Sequence, residues 1–486
     1  MGAALSSRNN DNESGRNLTP GEALLARLCK GAFLGPWSIP SPHRTVRQKR
    51  KLECKELCDL LVIFGDDVLI FSEKSITFTS GEIGLSWARW KKRAIYKSCQ
   101  QALGAERYLE SGEANLFGDT RCKHPLHLTA SKNSRFHKIV VAQGSIKANL
   151  KYFEGGNGTL MPGAFKKVEK SGLDSPFTTD AFALNDNNFF HIFDEKSLFL
   201  LLQNVNTALD FINYLKKRRL LFESFDGFMC KGEEGLVVHY MINMDPDNQH
   251  GFNRLIDQGK SENVNVMYYD EDNANQLLSN KQYAAKVELD KISYFWDNAI
   301  DFLWSQKDNS LSEEISFSDH EVENGLRIMA SQSRVERRNL SRAFLDAREK
   351  GDGLHSYSRS VYHKDSDGVV RKAYVFIFLT NKDIPSGKNY EDYKMVRVKS
   401  AEARAYKLKE KFPDLETVCA LLSEPPQDVR EGRGESLDAI TIKFSSDTPI
   451  DEAYKRELLE LFNPFDEENT EFIEVREKEY PDEQTD

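Results

Sequence analysis

Residues 56–74 read ELCDLLVIFGDDVLIFSEK: two apolar runs, 60–64 and 68–71, separated by Gly65-Asp66-Asp67. Short apolar runs on either side of a Gly/Asp cluster predict a tight β-hairpin. Asp59 opens the first strand and Lys74 closes the second, so the turn carries a carboxylate and an ammonium to one end of the hairpin. Three registers are open. A Gly65-Asp66 loop sets Asp59 opposite Ser72, and an Asp66-Asp67 loop sets it opposite Lys74. A three-residue loop sets it opposite Glu73 and turns Lys74 away. In the first two, Ser72 and Lys74 share the face of Asp59, because strand side chains alternate. Glycine and aspartate serve all three loops, so turn chemistry does not choose.

Carboxylates on rigid strands can hold a divalent cation that neutralises a phosphodiester, and a lysine beside it can stabilise developing negative charge. The plain alternative is an edge hairpin with Asp59 as a strand cap and Lys74 as an exposed terminus. Other chemistries lack their motifs: the chain has no P-loop, G-x-G-x-x-G, G-x-S-x-G or H-E-x-x-H. Cys54-x3-Cys58 has no second pair for zinc, and His43 is the only histidine near it.

The first eighteen residues are polar and aperiodic and predict a disordered tail. Thr19-Pro20-Gly21-Glu22 predicts a helix start, continued by Leu24, Leu25, Leu28 and Phe33. The basic run 43–51 has no apolar face. It reads as a solvated loop or, functionally, as a phosphate-contacting arm through Arg44, Arg47, Lys49, Arg50 and Lys51. Residues 86–108 predict an amphipathic helix with Lys92 and Arg93 among its outward cations. A strand at 135–142 follows.

Beyond it, 189–202 predicts two short strands, 206–221 a helix, and 235–243 a strand. The aromatics of 295–304 predict core packing. Residues 321–349 predict one long helix whose arginines form a solvated face or a docking surface. Strands are expected at 373–379, 419–422 and 439–444, with a helix at 401–412.

The order of these elements resembles the PD-(D/E)xK nuclease superfamily: a helix with a glutamate, a strand opening on Asp, a tight turn, a strand ending near Lys, then a helix. The Asp-to-Lys spacing is similar to that of archaeal Holliday-junction resolvases and restriction-endonuclease-like domains. The likeness covers roughly residues 20–110. It implies Glu22 as the helix-borne glutamate, Asp59 as first metal ligand, Lys74 as catalytic lysine, and Gln101 on the following helix. Ser72 stands where the family has its second acid. Glu73 lies beside it on the other face unless a bulge turns it, and Glu56 is a nearby substitute. The implied cofactor is Mg²⁺ or Mn²⁺, on Asp59, Glu22 and Glu73. The whole chain is also similar to uncharacterised bacterial proteins that keep a KELCDLLV block and a Trp-rich helix.

At 486 residues the chain predicts two or three domains. Boundaries are expected at 19–145 (nuclease-like mixed sheet flanked by helices), 146–315 and 316–465 (further α+β units), with an acidic disordered tail at 466–486. Seven scattered cysteines predict free thiols in a reducing cytoplasm. No run approaches a membrane span. A net charge of −10 argues against a coat of nucleic acid but not against a local basic groove. The functional expectation is a metal-dependent endonuclease acting on DNA rather than RNA, in bacterial antiviral defence, with a protein partner for the C-terminal region. The alternative is a degenerate nuclease fold that binds nucleic acid or protein without cutting.

Overall fold

A computed structural model describes residues 21, 23, 25, 31–33, 37–48, 51–111, 115–126, 133–166, 175–244, 249–270, 279–306, 319–365, 367–381, 390–430, 436–444, 450–462, 470–474 and 478–480. The chain forms two compact units, 1–279 and 280–486, each mixed α/β. Among the described residues no helix is long and apolar enough to cross a membrane.

In the first unit the strands follow in chain order: β1 (Ser38–Pro40), β2 (His43–Gln48), β3 (Lys51–Glu56), β4 (Leu60–Phe64), β5 (Asp67–Ser75), β6 (Leu116–Phe117), β7 (Pro125–Leu126), β8 (Arg135–Gln143), β9 (Gly163–Phe165), β10 (His191–Phe193), β11 (Gly227–Cys230) and β12 (Val266–Tyr269). The main sheet has the order β1-β4-β5-β8-β10. Its first three strands are antiparallel, whereas β5, β8 and β10 run parallel. A four-stranded antiparallel sheet, β3-β2-β6-β7, and a three-stranded mixed sheet, β12-β11-β9, complete the unit. The first sheet takes its last strand from 191–193, past residue 145.

Leu60 pairs with Phe71 and Phe64 with Asp67, so the β4–β5 loop is Gly65-Asp66. Gly65 takes φ +60°, which a two-residue hairpin with glycine first requires. Of the three open registers this is the one that sets Asp59 against Ser72.

Strand alternation then sorts the side chains. Leu61, Ile63, Val68, Ile70, Val140 and Ala142 face one way, onto α1 (Ile83–Lys91) and α2 (Lys97–Glu110), which present Trp87, Trp90, Cys99 and Ala102. A π-helical turn, Lys92–Tyr96, joins these two helices. Phe71 faces the other way, with ring centroids 6.1 Å from Phe33 and 6.3 Å from Phe211.

Several expectations are corrected. Residues 43–51 are not a loop but contribute two strands of a hairpin, paired from His43–Glu56 to Gln48–Lys51, with Thr45 and Val46 giving β2 its strand character. Residues 189–202 form one strand, β10, and then α3 (Glu195–Asn204). Asp194 caps that helix by accepting from Lys196 N and Ser197 N. Residues 235–243 lie in α4 (Glu233–Ile242), which is apolar nearly all round and buried, so periodicity could not separate it from a core strand. The cysteines are not all free: Cys54 and Cys122 form a disulfide, while Cys58, Cys99, Cys230 and Cys419 are buried thiols.

The second unit centres on a sheet built from β13 (Ser356–Tyr362), β14 (Lys372–Leu379), β15 (Thr417–Ser423), β16 (Leu437–Lys443) and β17 (Thr470–Glu474), in the order β16-β15-β14-β13-β17. The expected long helix 321–349 is two, α5 (Asp319–Ala330) and α6 (Arg334–Lys350). Ser333 starts the second through a reciprocal capping box with Glu336. Three of its arginines do not belong to a solvated face, whereas Arg342 is exposed. Arg334, Arg337 and Arg338 are buried, and they pair with Asp297 and Asp290. Within the segment expected as a disordered acidic tail, residues 470–474 form β17, whose Glu471 accepts from Arg359 and Lys350.

Candidate functional site

The end of the β4–β5 hairpin is built by its register. Asp59 precedes β4, donates its N–H to Phe71 O (3.1 Å), and accepts at its own carbonyl from Ser41 N (2.9 Å). Held at both backbone groups, it aims a buried carboxylate at the end of β5. Oδ2 accepts from Glu73 N at 2.8 Å and lies 3.5 Å from Lys74 Nζ. The ammonium also donates to Glu73 O at 2.7 Å and keeps about a third of its side chain in solvent (34% exposed). On the same face Ser72, fully buried, donates from Oγ to Gln101 Oε1 at 2.8 Å. Asp59, Lys74, Ser72 and Gln101 therefore converge.

Glu73 does not join them. Its side chain lies on the opposite face of β5, buried, with Oε1 accepting from Gln143 Nε2 at 2.8 Å. Gly21 lies against that carboxylate: a Cβ there would sit 2.7 Å from Glu73 Oε1, so glycine permits the approach. Glu56 closes β3 in the second sheet, opposite His43, rather than standing on the main sheet. Glu22, Lys49 and Arg50 lie outside the described residues.

The basic residues fall on two elements. Arg44 stacks over the Tyr108 ring at 4.6 Å, and Arg47 and Lys51 stand exposed on the β2–β3 hairpin. Lys92 and Arg93 are exposed on the π-helical turn, which keeps Ala94 and Ile95 in the core.

Of the three implied cation ligands, Asp59 and Glu73 lie on opposite faces of the sheet and Glu22 lies outside the described residues. The contacts bring one carboxylate, Asp59, to Lys74, with Glu73 N and Lys74 Nζ both directed at it from β5. Among the described residues no group of three or more His, Cys, Asp or Glu side chains is placed to hold an ion. Ser72 offers a neutral oxygen that is already donating to Gln101, and it cannot replace a second acid.

Two networks around buried carboxylates escaped the sequence reading. Asp67, at the start of β5, accepts from Arg135 Nη2 (2.8 Å), His137 Nε2 (2.9 Å) and Lys216 Nζ (2.9 Å). Burial alone would raise its carboxyl, but hydrogen bonds from these three groups hold it well below the usual carboxylate range. In the other, Glu233 accepts from Tyr214 Oη (2.5 Å) and from Arg218 Nε (2.8 Å), all three buried. Beside it, burial pushes the Glu234 carboxyl up to about 7 while Oε2 accepts from Thr159 Oγ1 at 2.9 Å. For the first network the available signal was His137, a polar residue within the strand 135–143; the second left none.

Compared with known proteins, the chain matches no family model, no curated protein and no solved structure.

Proposed function

We propose that the first unit is a nuclease-like nucleic-acid-binding module: the β2–β3 hairpin contacts phosphates, and the Asp59–Lys74 pair ties the end of β4 to β5 instead of cutting. One observation carries this reading. The carboxylate of Asp59 is committed to Glu73 N and Lys74, and Glu73 points to the other face, so the pair of acids that would share a cation is split across the sheet. The exposed cations Arg47, Lys51 and Lys55 on the hairpin and Lys92 and Arg93 on the helical turn supply the charge that phosphate contacts use.

A second reading, Mg²⁺- or Mn²⁺-dependent hydrolysis of DNA, is favoured by the close approach of Gly21 to the Glu73 carboxylate. It brings the start of the N-terminal segment, which the sequence reads as the carrier of Glu22, to an acid of β5.

One experiment separates them. Supercoiled plasmid is incubated with the protein and Mg²⁺ or Mn²⁺, and binding to a labelled duplex is followed as salt rises. The expected result is no metal-dependent nicking, with an affinity that falls steeply with salt and drops in Arg47→Glu/Lys51→Glu. Nicking that disappears in both Asp59→Asn and Lys74→Gln would establish the second reading in place of the first. Absence of duplex binding at low salt would remove both.

A further inference from the structure

The tip of the β2–β3 hairpin combines one apolar side chain with several cations. Leu52 is 75% exposed, the largest value among the large hydrophobic side chains described. A single exposed leucine is ordinary by itself; the surroundings of this one are not. Leu52 lies directly across from Arg47, and Lys51 across from Gln48. Arg47 and Lys51 are exposed. The acid nearest in the register, Glu53, lies 3.5 Å from Lys55. Over residues 43–56 the sequence carries six Lys or Arg (44, 47, 49, 50, 51, 55) against two Glu (53, 56).

The base of this ribbon is clamped. β6 pairs with β2 only at His43 and Arg44. The Arg44 guanidinium stacks on Tyr108. The Cys54–Cys122 disulfide fastens β3 two residues from Leu52, on the same face of the ribbon. Beyond that clamp, Arg47 and Leu52 have no further strand beside them among the described residues. A rigid base is what a side chain needs to be driven between stacked groups without bending away.

We infer that this ribbon docks on duplex DNA with Leu52 as a wedge between base pairs and Arg47 and Lys51 on the flanking phosphates, an inference that rests on the nucleic-acid reading above. Charge complementarity selects the partner, since the cations flank the leucine on both strands. A two-stranded ribbon is narrow enough for a groove. Leucine is among the side chains that unstack base steps when held beside Arg and Lys. An anionic membrane fits less well, because interfacial binding uses a broad apolar face and this tip offers one residue.

The test uses the full chain with its disulfide intact and a duplex carrying 2-aminopurine at successive positions. Wild type should raise the 2-aminopurine fluorescence on binding, a signature of unstacking that phosphate contacts do not produce. Leu52→Ala should lose that rise and bind about tenfold more weakly, with the slope of log K against log salt unchanged. Leu52→Met should restore both. Arg47→Ala should reduce the magnitude of that slope by about one. If Leu52→Ala binds and unstacks like wild type while Arg47→Ala weakens binding, the wedge is refuted and the phosphate-binding reading survives. If wild type does not bind duplex at low salt, both fall. Leu52-dependent binding to vesicles of anionic phospholipid, with Leu52-independent binding to duplex, would also overturn the wedge.

Discussion

Glu234 shows how far position governs a side chain. It belongs to the first turn of α4, and 4% of it is exposed. Oε2 has Thr159, but Oε1 is buried with no hydrogen-bond partner among the other described residues, so burial disfavours the charged form and the neighbouring Asp194 adds to it. With its carboxyl raised from the ordinary 4.5 to about 7, the folded protein holds a proton that the unfolded chain releases. Between these values stability falls as pH rises, and above the upper one the penalty is constant. Glu234→Gln keeps the acceptor for Thr159 and removes the charge. It should match wild type near pH 4.5 and exceed it by up to about 3 kcal/mol at pH 8, read from urea melts. A difference that does not change with pH would rule the account out. The adjacent letters Glu233-Glu234 announce nothing of this. One acid meets Arg218 and Tyr214, the other a hydroxyl, and those partners come from 15 to 75 residues away.

Hairpins, caps and amphipathic helices were the readable elements, because their determinants sit within a few residues. The β4–β5 hairpin, the helix over 86–108, the strand over 135–142 and the helix over 206–221 stand within a few residues of where the pattern puts them. Elements buried on all sides were not readable in type. α4 packs apolar residues around its circumference, so the 3.6-residue period that marks a half-exposed helix is absent. α3 does bury one stripe, Ser197, Leu198, Leu201 and Leu202, but its run of apolar residues 198–202 carries the exposed Phe199 as well and masks that period. The β2–β3 ribbon was read as a loop because its cations hide the alternation, and a disulfide to a residue 68 positions away stabilises it. Reduction, or Cys54→Ser with Cys122→Ser, should lower stability by up to about 4 kcal/mol for a loop of that length. Urea denaturation with and without reductant measures it. Thiol titration of the denatured chain should find two fewer reactive groups before reduction than after. Equal thiol counts would remove the bond from the account.

At the level of the molecule, each unit has its own sheet and its own buried polar anchors. In the second unit Asp297 is shared by two buried guanidiniums, Arg334 Nη1 at 2.8 Å and Arg337 Nη1 at 2.6 Å. Removing that carboxylate leaves both charges without it in a site from which water is excluded. Asp297→Ala should therefore cost about 3–5 kcal/mol, which is a large part of the stability of an ordinary domain. Thermal unfolding of the full chain tests this, and a loss below about 1 kcal/mol would show that the pairs are dispensable. The arginines 334, 337 and 338 looked like a solvated face because acids alternate with them along the helix. Their actual partners, Asp290 and Asp297, precede them by about forty residues, and no local pattern reports that distance.

The β4–β5 hairpin marks the division. Two apolar runs and a Gly-Asp turn were enough to place Asp59 and Lys74 at one end, because turn geometry and side-chain alternation act over neighbouring residues. They left the register open among three choices, and with it the identity of the residue facing Asp59. The fold selected Ser72, gave Gln101 to its hydroxyl, and sent Glu73 to Gln143 on the far side of β5. That selection depends on packing both faces of the sheet at once: α1 and α2 take the Val68–Ile70–Ser72 side, and Phe33 and Phe211 take the Phe71 side. Which acids can meet is thus settled by contacts between segments far apart in the chain, and the local pattern carries no record of them.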